Sequence, residues 1–343
     1  MPTIWDFRML RVLATFLIVF GHPIVAQEAP PDEYIIEEFE VTDDGGTLAN
    51  GLRAPAGAFP GAVKLKIGKG VCSGTLIAKR LVLTAAHCVV GDDGSPKTAA
   101  TVLFPEVGDS SAKAVDVMLS GNLEIAPGYS GRAIDGKWQD TGPEADFALI
   151  RLPSDAPGFE NRVTRLAGLQ EANAGHKLYL TGYGLTKYRE GSRVVLKVAR
   201  QLMYAQNRLK KSSDPGGVVA NRNNFRDRAT YLYGEIFFEE ADVIESVSVC
   251  FGDSGGGTYL VATPNEFSDL AGIWVVGVNS RINPGDQDFD RDAIFNDERD
   301  FFGRRVTSDT DKCVALGVGS TVTSVPANLP QILQMAASLG VNL

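Results

Sequence analysis

Apolar residues along most of the chain stand in short runs that are separated by glycine, proline and polar residues. In the run 62–67 (AVKLKI) apolar residues alternate with lysines, and Gly68, Lys69 and Gly70 then supply a turn, so the pattern predicts a β-hairpin. Many short strands joined by turns are typical of an all-β protein of barrel or sandwich type. Further apolar runs predict strands at 74–77, 81–84, 147–152, 177–181, 194–202 and 273–278.

Helical periodicity is confined to the C-terminal end of the chain. The segment 329–339 (LPQILQMAASL) has apolar residues three and four positions apart, which predicts a terminal helix over about 327–340. Two polar stretches, 210–228 and 283–300, predict long surface loops.

The first 47 residues lack the alternation of short apolar runs and turn residues that is found in the rest of the chain. Arg8 and Arg11 precede the apolar run 12–20, and a small residue at a plausible cleavage point follows, so we expect a secretory signal peptide over 1–26. A retained membrane anchor is the alternative, although the run is short for a membrane span. Residues 27–47 are acidic, contain two prolines and show no sustained period, which predicts a pro-segment or flexible leader. We expect the mature protein to be secreted, either extracellular or periplasmic, with no membrane contact after signal removal.

Charge and cysteine count narrow the possibilities further. The formal net charge of −9 argues against nucleic acid as a partner, because phosphate contacts need clustered lysine and arginine. An exported chain enters an oxidising compartment, so the four cysteines predict two disulfides. Three pairings are possible, and pairing within each half of the chain is the simplest. The cysteines are Cys72, Cys88, Cys250 and Cys313.

Two segments carry residues suited to nucleophilic catalysis. Residues 83–88 (LTAAHC) place His87 after a strand-like run and two small residues, and residues 250–257 (CFGDSGGG) place Ser254 in a glycine-rich loop. A serine hydroxyl is a poor nucleophile unless a neighbouring base removes its proton, and histidine suits that task because its ordinary pKa is near neutrality. Flanking glycines allow backbone N–H groups to point at a developing oxyanion.

A buried carboxylate must hold such a histidine in the right tautomer. Asp146 directly precedes an apolar strand, where a carboxylate would be drawn into the interior, and it is the preferred candidate. Asp135, Asp140 and Glu144 are nearby alternatives.

These segments resemble the signatures of the chymotrypsin/trypsin-like serine protease family. TAAHC at 84–88 and GDSGG at 252–256 occur in the order that is usual in this family, and DFALIRL at 146–152 is similar to the strand whose leading aspartate orients the histidine. IAPGY at 125–129 and GYG at 182–184 also match family segments. The similarity covers about residue 48 to the C-terminus, with large insertions.

The resemblance implies a protease domain over 48–343 with an all-β fold of two six-stranded antiparallel β-barrels and a C-terminal helix. The barrels would span about 48–160 and 172–326, with the catalytic residues in the cleft between them. It also implies two disulfides, of which the first would tie the histidine loop to a neighbouring strand and the second would brace the wall of the specificity pocket: Cys72–Cys88 and Cys250–Cys313.

The resemblance also assigns roles. Ser254 would be the nucleophile, His87 the general base and then the general acid, and Asp146 the orienting carboxylate. Backbone N–H groups of Gly252 and Ser254 would form the oxyanion hole. No cofactor is implied, and the expected partners are a polypeptide substrate and protein protease inhibitors.

Activation in this family depends on an apolar N-terminus, freed by proteolysis, whose ammonium pairs with the aspartate before the nucleophile. The matching residues are Leu48 and Asp253. Leu48 replaces the usual isoleucine or valine, and Thr47 precedes it where arginine or lysine is usual. Our hypothesis is that a protease without trypsin-like specificity removes the leader, or that the loop orders without cleavage.

The residues at the specificity pocket depart from those of trypsin-like enzymes. The resemblance implies that Ser248 would stand at the base of the pocket in place of the aspartate that selects arginine or lysine, so an apolar or aromatic residue is expected before the scissile bond. Ser280, Arg281 and Ile282 stand where a Ser-Trp-Gly run is usual. Arg281 would lie near the substrate strand, where an acidic side chain is the alternative ligand. Ile282 would narrow the pocket mouth, and the insertion 283–312 is a candidate cover.

Alternating aspartates within that insertion raise the question of a calcium site. The glycine expected at the sixth loop position is replaced by Arg291, so a solvated acidic loop and no metal is the expectation. The aspartates are Asp286, Asp288, Asp290 and Asp292.

Two other functions are weighed against a protease. A secreted pseudoprotease would keep the fold as a binding module without chemistry, but all three triad residue types are present. An esterase of the α/β type would place its serine in G-x-S-x-G with histidine last in the chain, whereas histidine comes first here.

Overall fold

The short apolar runs of the sequence form strands that pair into two large β-sheets. A computed structural model describes residues 34–36, 51–55, 57–105, 112–134, 137–172, 177–190, 193–199, 201–209, 224–234, 237–239, 243–245, 248–262, 272–283 and 319–343. All of them lie in one unit, 33–343.

Short strands follow one another through the N-terminal half of the chain. They are β1 (Tyr34–Ile36), β2 (Leu52–Arg53), β3 (Ala62–Ile67), β4 (Gly70–Ala78), β5 (Leu81–Thr84), β6 (Ala99–Pro105), β7 (Ala112–Met118), β8 (Leu123–Ile125), β9 (Gly131–Ile134), β10 (Lys137–Asp140) and β11 (Ala148–Arg151). Seven of them form a sheet in the order β7-β6-β3-β4-β5-β11-β8. Every pairing within this sheet is antiparallel, and the three-residue β8 extends an otherwise six-stranded arrangement.

Short strands also follow one another through the C-terminal half of the chain, where six of them form a sheet that closes on itself. They are β12 (Arg165–Leu166), β13 (Lys177–Gly182), β14 (Leu185–Glu190), β15 (Arg193–Val198), β16 (Met203–Leu209), β17 (Ala229–Gly234), β18 (Phe237–Glu239), β19 (Val243–Glu245), β20 (Gly257–Val261), β21 (Ile273–Asn283) and β22 (Gly319–Ser324). β21 pairs with both β20 and β22, so that β21-β20-β13-β16-β17-β22 make a ring, and the two-residue β2 and β12 add to its sides.

The structure confirms the terminal helix that the C-terminal periodicity predicts. Among the described residues the α-helices are α1 (Ala86–Val89), α2 (Leu169–Ala172) and the much longer α3 (Val325–Ser338). The last begins two residues earlier than predicted, because Ser324 caps its first turn and Pro326 follows the cap. Its buried residues join the larger apolar cluster, in contact with β11 of the first sheet and β21 of the second, and Arg151 donates to the carbonyl of Leu339 at its C-terminal end.

The all-β, two-barrel expectation is confirmed, and the core shows how the two halves join. The larger buried cluster fills the first sheet and continues into the second through Tyr179, Tyr183 and Tyr259. The rings of Phe59 and Tyr259 lie 4.9 Å apart between centroids. A smaller cluster that includes Leu180 fills the closed barrel. The halves are therefore held together by packed apolar surface, which is needed to fix residues contributed by both.

One predicted strand needs correction. The run 194–202 was expected to be a single strand, but β15 ends at Val198 and β16 begins at Met203. The two pieces pair in different sheets, β15 with β14 and β16 with β13, and Ala199 donates to the carbonyl of Gly184 and accepts from the buried ammonium of Lys64.

The N-terminal segments are described only in part. Within the expected leader, Tyr34–Ile36 forms β1 and pairs in parallel with β15. The expected signal peptide, 1–26, lies outside the described residues. No helix in the described part of the chain has the length and apolar character required to cross a bilayer.

Candidate active site

The pairing of β5 with β11 brings His87 and Asp146 together. Thr84 at the end of β5 lies opposite Ala148 at the start of β11, and the two candidate residues stand just beyond these positions. Asp146 is fully buried, whereas the His87 side chain is 24% exposed. The sheet register therefore places a buried carboxylate beside a histidine that faces solvent.

Two hydrogen bonds join this pair. The backbone N–H of His87 donates to Oδ1 of Asp146 at 3.0 Å, and ring atom Nδ1 lies 2.8 Å from Oδ2. An ionised carboxylate only accepts hydrogen bonds, so Nδ1 carries the proton and Nε2 keeps the free lone pair. This is the tautomer that a general base requires.

Ser280 provides a third hydrogen bond to the carboxylate. Its hydroxyl donates to Oδ2 of Asp146 at 2.5 Å. The register of β21 against β22 shifts between Asn279 and Arg281, which makes Ser280 the extra residue of a bulge, and bulges commonly redirect a side chain. Burial raises the pKa of Asp146, but the charge of His87 and the hydrogen bonds from His87 and Ser280 lower it by more, so the net pKa is below its ordinary value.

Ser254 lies beside α1, the short helix that contains His87. Its carbonyl accepts from the backbone N–H of Ser73 at 2.8 Å and lies 3.6 Å from Sγ of Cys88, the residue after His87. Within the described residues its hydroxyl forms no hydrogen bond with His87; such catalytic bonds are often long before substrate binds. The Cys72–Cys88 disulfide is formed and ties α1 to β4.

Glycines shape the serine loop, which comprises residues 250–256. Gly252 and Gly255 have positive φ angles of 91° and 80°. A Cβ atom at Gly255 would lie 2.1 Å from the Thr84 hydroxyl, so only glycine fits between the loop and β5. The N–H groups of Gly252 and Ser254 donate to no acceptor in the described part of the chain, which leaves both available to a substrate oxygen.

Asn279 braces the same loop. Its amide donates to the carbonyl of Thr181 at 2.8 Å, and its backbone accepts from Gly255 and donates to Gly256. Sequence reasoning missed both Asn279 and Ser73. Nothing in the local pattern marks them, because their partners lie far away along the chain.

Asp253 belongs to the same loop, and its side chain is fully buried. Its Oδ1 accepts from Gly184 N–H at 2.8 Å and its Oδ2 from Cys250 N–H at 2.9 Å. No cation of the described residues forms an ion pair with it, and its predicted partner Leu48 lies outside them. Burial raises the pKa of Asp253 to about 7, although the two N–H groups act to lower it.

The alternatives to Asp146 occupy other positions. Both oxygens of Asp140 lie 2.9 Å from one guanidinium nitrogen of Arg281. Glu144 is in the 3-10 helix Pro143–Ala145, directly before Asp146. Asp135 lies outside the described residues. Of the described candidates, Asp146 is the one that is hydrogen-bonded to His87.

The candidate pocket residues are spread along two segments. Ser248 is fully buried, and the next residue, Val249, donates from its backbone to Ser320. Ile282 pairs with Ser320 in the ladder of β21 and β22. Cys250 is disulfide-bonded, and its predicted partner Cys313 lies outside the described residues, as does the insertion after residue 283.

Similarity to known proteins extends over most of the sequence. The family model described as trypsin matches residues 48–290. The chain is 31% identical to Serine protease Hayan of Drosophila melanogaster over 68% of its length, and 28% identical to human Serine protease 56 over 75%. It spans 34% and 39% of the lengths of those two proteins. A Trypsin-like protease of Streptomyces glaucescens is 29% identical over 68% of this chain and 72% of that protein.

Proposed function

The chain belongs to the trypsin family, and from that premise we propose that it is a secreted serine endopeptidase that works through an acyl-enzyme intermediate. The observation that carries the proposal is the buried Asp146 carboxylate, which accepts from both the backbone and the ring of His87. That arrangement prepares a base, and Ser254 stands in the adjacent loop.

The chemistry follows from these positions. His87 Nε2 takes the proton of the Ser254 hydroxyl as Oγ attacks the peptide carbonyl carbon, and Asp146 stabilises the imidazolium that forms. The N–H groups of Gly252 and Ser254 bind the oxyanion of the tetrahedral intermediate. The imidazolium then protonates the leaving amine, the C–N bond breaks, and an ester to Ser254 remains. Water attacks this ester with His87 again as base, which releases the acid and restores the hydroxyl.

The pocket favours an uncharged residue before the scissile bond. Ser248, which the family resemblance puts at the pocket base, is buried and uncharged, so a buried lysine or arginine side chain would lack its compensating partner. Arg281 is engaged by Asp140, and an acidic substrate side chain would have to displace that carboxylate. We therefore propose apolar or aromatic specificity, with a polypeptide substrate and protein inhibitors as partners.

Export and maturation complete the proposal. The signal-like segment 1–26 would direct the chain out of the cytoplasm, and cleavage between Thr47 and Leu48 would free an ammonium for the buried carboxylate of Asp253. N-terminal sequencing of the active secreted form tests this step. A start at residue 48 supports it, and fully active enzyme that begins at residue 27 contradicts it.

A fluorophosphonate probe tests the enzymatic proposal, because it reacts with an activated serine and not with an ordinary one. We expect the wild-type protein to be labelled at Ser254 and the Ser254→Ala variant to remain unlabelled. Absence of labelling in processed wild-type protein would favour the pseudoprotease. Peptide-library cleavage tests the pocket, and a strong preference for arginine or lysine would contradict the proposed specificity.

A further inference from the structure

Ser73 has a buried hydroxyl that joins three parts of the molecule. It lies on β4, next to Cys72, and is 1% exposed. Its Oγ donates to the carbonyl of Gly252 in the serine loop at 2.8 Å and accepts from the backbone N–H of Tyr183 at 2.9 Å. This one hydroxyl therefore forms hydrogen bonds with two segments that are remote from β4 in the sequence, as a donor to Gly252 and as an acceptor from Tyr183.

The backbone of Ser73 contacts the same loop. Its N–H donates to the carbonyl of Ser254 at 2.8 Å, and its own carbonyl accepts from the hydroxyl of Thr84 at 2.8 Å. A Cβ on Gly255 would lie 2.4 Å from that carbonyl, so the loop rests directly on this residue. Ser73 thus holds the carbonyls of Gly252 and Ser254, the two residues whose N–H groups are the proposed oxyanion donors.

We propose that Ser73 is a positioning residue for the oxyanion hole, an inference that rests on the proposed protease function. The peptide between Gly252 and Asp253 is held at both ends, since its carbonyl accepts from Ser73 Oγ and its N–H donates to Cys250 at 3.0 Å. Gly252 has no Cβ to restrict its backbone, so an external contact must fix it. Ser73 supplies that contact without touching the substrate.

Loss of the hydroxyl would leave a buried N–H group and a half-buried carbonyl without their partner. The N–H of Tyr183 and the carbonyl of Gly252 would each need a new one, and rotation about the backbone bonds of Gly252 is the available adjustment. That rotation would turn an oxyanion donor away from the reacting carbonyl. Because the oxyanion exists only in the intermediate and the transition states beside it, the loss should lower kcat and leave KM nearly unchanged.

The test compares Ser73→Ala with Thr75→Val on processed enzyme. Thr75 lies on the same strand and is equally buried, but its hydroxyl lies 3.0 Å from that of Tyr259 and outside the serine loop. We expect Ser73→Ala to lower kcat about tenfold or more, with KM within about twofold. Affinity for a peptide boronate, whose adduct places an oxygen in the hole, should fall by the same factor. The acidic limb of the pH profile should not move, because His87 and Asp146 are untouched.

The control and rescue variants separate positioning from stability. Thr75→Val should keep kcat within about twofold, and Ser73→Thr, which retains a hydroxyl, should keep most of it. Rates are measured on active-site-titrated protein below each unfolding temperature, and Ser73→Cys, which keeps the size of the side chain but has only a weak S–H donor, replaces Ser73→Ala if the latter does not fold.

Three outcomes would count against the proposal. Active wild-type enzyme with an unchanged kcat in the hydroxyl-free variant would overturn it, and so would an equal loss in Thr75→Val. Wild-type protein that neither reacts with the fluorophosphonate nor cleaves peptides would refute the protease function itself, and the Ser73 proposal with it.

Discussion

Raising the pH should destabilise the unprocessed chain through Asp253. The carboxyl is fully buried, receives only the N–H groups of Gly184 and Cys250, and forms no ion pair within the described residues. Its pKa is raised to about 7 in the folded protein. In the unfolded chain an aspartate titrates near its ordinary value of about 3.9.

The direction and size of the effect follow from that difference. A group whose folded pKa is raised contributes stability below its unfolded pKa, and this contribution is lost as the pH rises through the folded value. Three pKa units correspond to about 4 kcal/mol in the free energy of unfolding, and roughly 3 kcal/mol of the loss falls between about pH 5 and pH 8.

Urea unfolding of the full-length chain across that pH range measures this loss, and a Ser254→Ala background prevents self-cleavage. Asp253→Asn, which cannot ionise, is the matched control and should lack this part of the pH dependence. In chain processed before Leu48, the new ammonium should lower the pKa of Asp253 and reduce the loss. Stability curves that run parallel between about pH 5 and pH 8, with and without Asp253→Asn in the unprocessed chain, would show that Asp253 does not have the raised pKa.

Three further predictions concern the active site and its supports. Asp146→Asn should lower kcat by about 10⁴ with little change in KM, because the ring tautomer is no longer fixed; a loss below about tenfold in steady-state kinetics would argue for another carboxylate. Asp140→Asn should release Arg281 and raise cleavage of peptides with acidic residues near the scissile bond by about fivefold in a library profile, and an unchanged profile would contradict a competing role for this pair. Serine replacement of both Cys72 and Cys88, which are 16 residues apart, should reduce the free energy of unfolding by about 3 kcal/mol in urea titrations, and an unchanged midpoint would show that the bond adds no stability.

The features that could be predicted from the sequence are those with local signals. Alternation and turn residues identify β3 and its hairpin, and α3 follows from its apolar spacing. His87 and Ser254 stand in short segments, TAAHC and GDSGG, whose small residues and glycines already mark the two residues as candidates for catalysis. Among the described candidates, the choice of Asp146 over Asp140 and Glu144 agrees with the register of β5 and β11, which pattern alone does not give.

The features that escaped prediction depend on contacts between distant segments. Ser73 and Gly252 are 179 positions apart, and Arg281 and Asp140 are 141 apart. The sequence alone makes Arg281 a candidate ligand for an acidic substrate, because nothing local reveals its partner. The hydroxyl of Ser280 reaches the carboxylate of Asp146 through a bulge, which shifts every expected side-chain direction beyond it. Such contacts exist only once the two barrels have packed.

Trapping the acyl-enzyme shows directly whether Ser254 is the nucleophile of a protease. Processed wild-type protein is mixed with an activated ester of an aromatic N-acyl amino acid, quenched in acid and digested for mass spectrometry. We expect the acyl group on Ser254 in an amount equal to the active sites, and none on the Ser254→Ala variant. Acyl transfer to another residue, or an equal yield from Ser254→Ala, would contradict the proposal that Ser254 is the nucleophile.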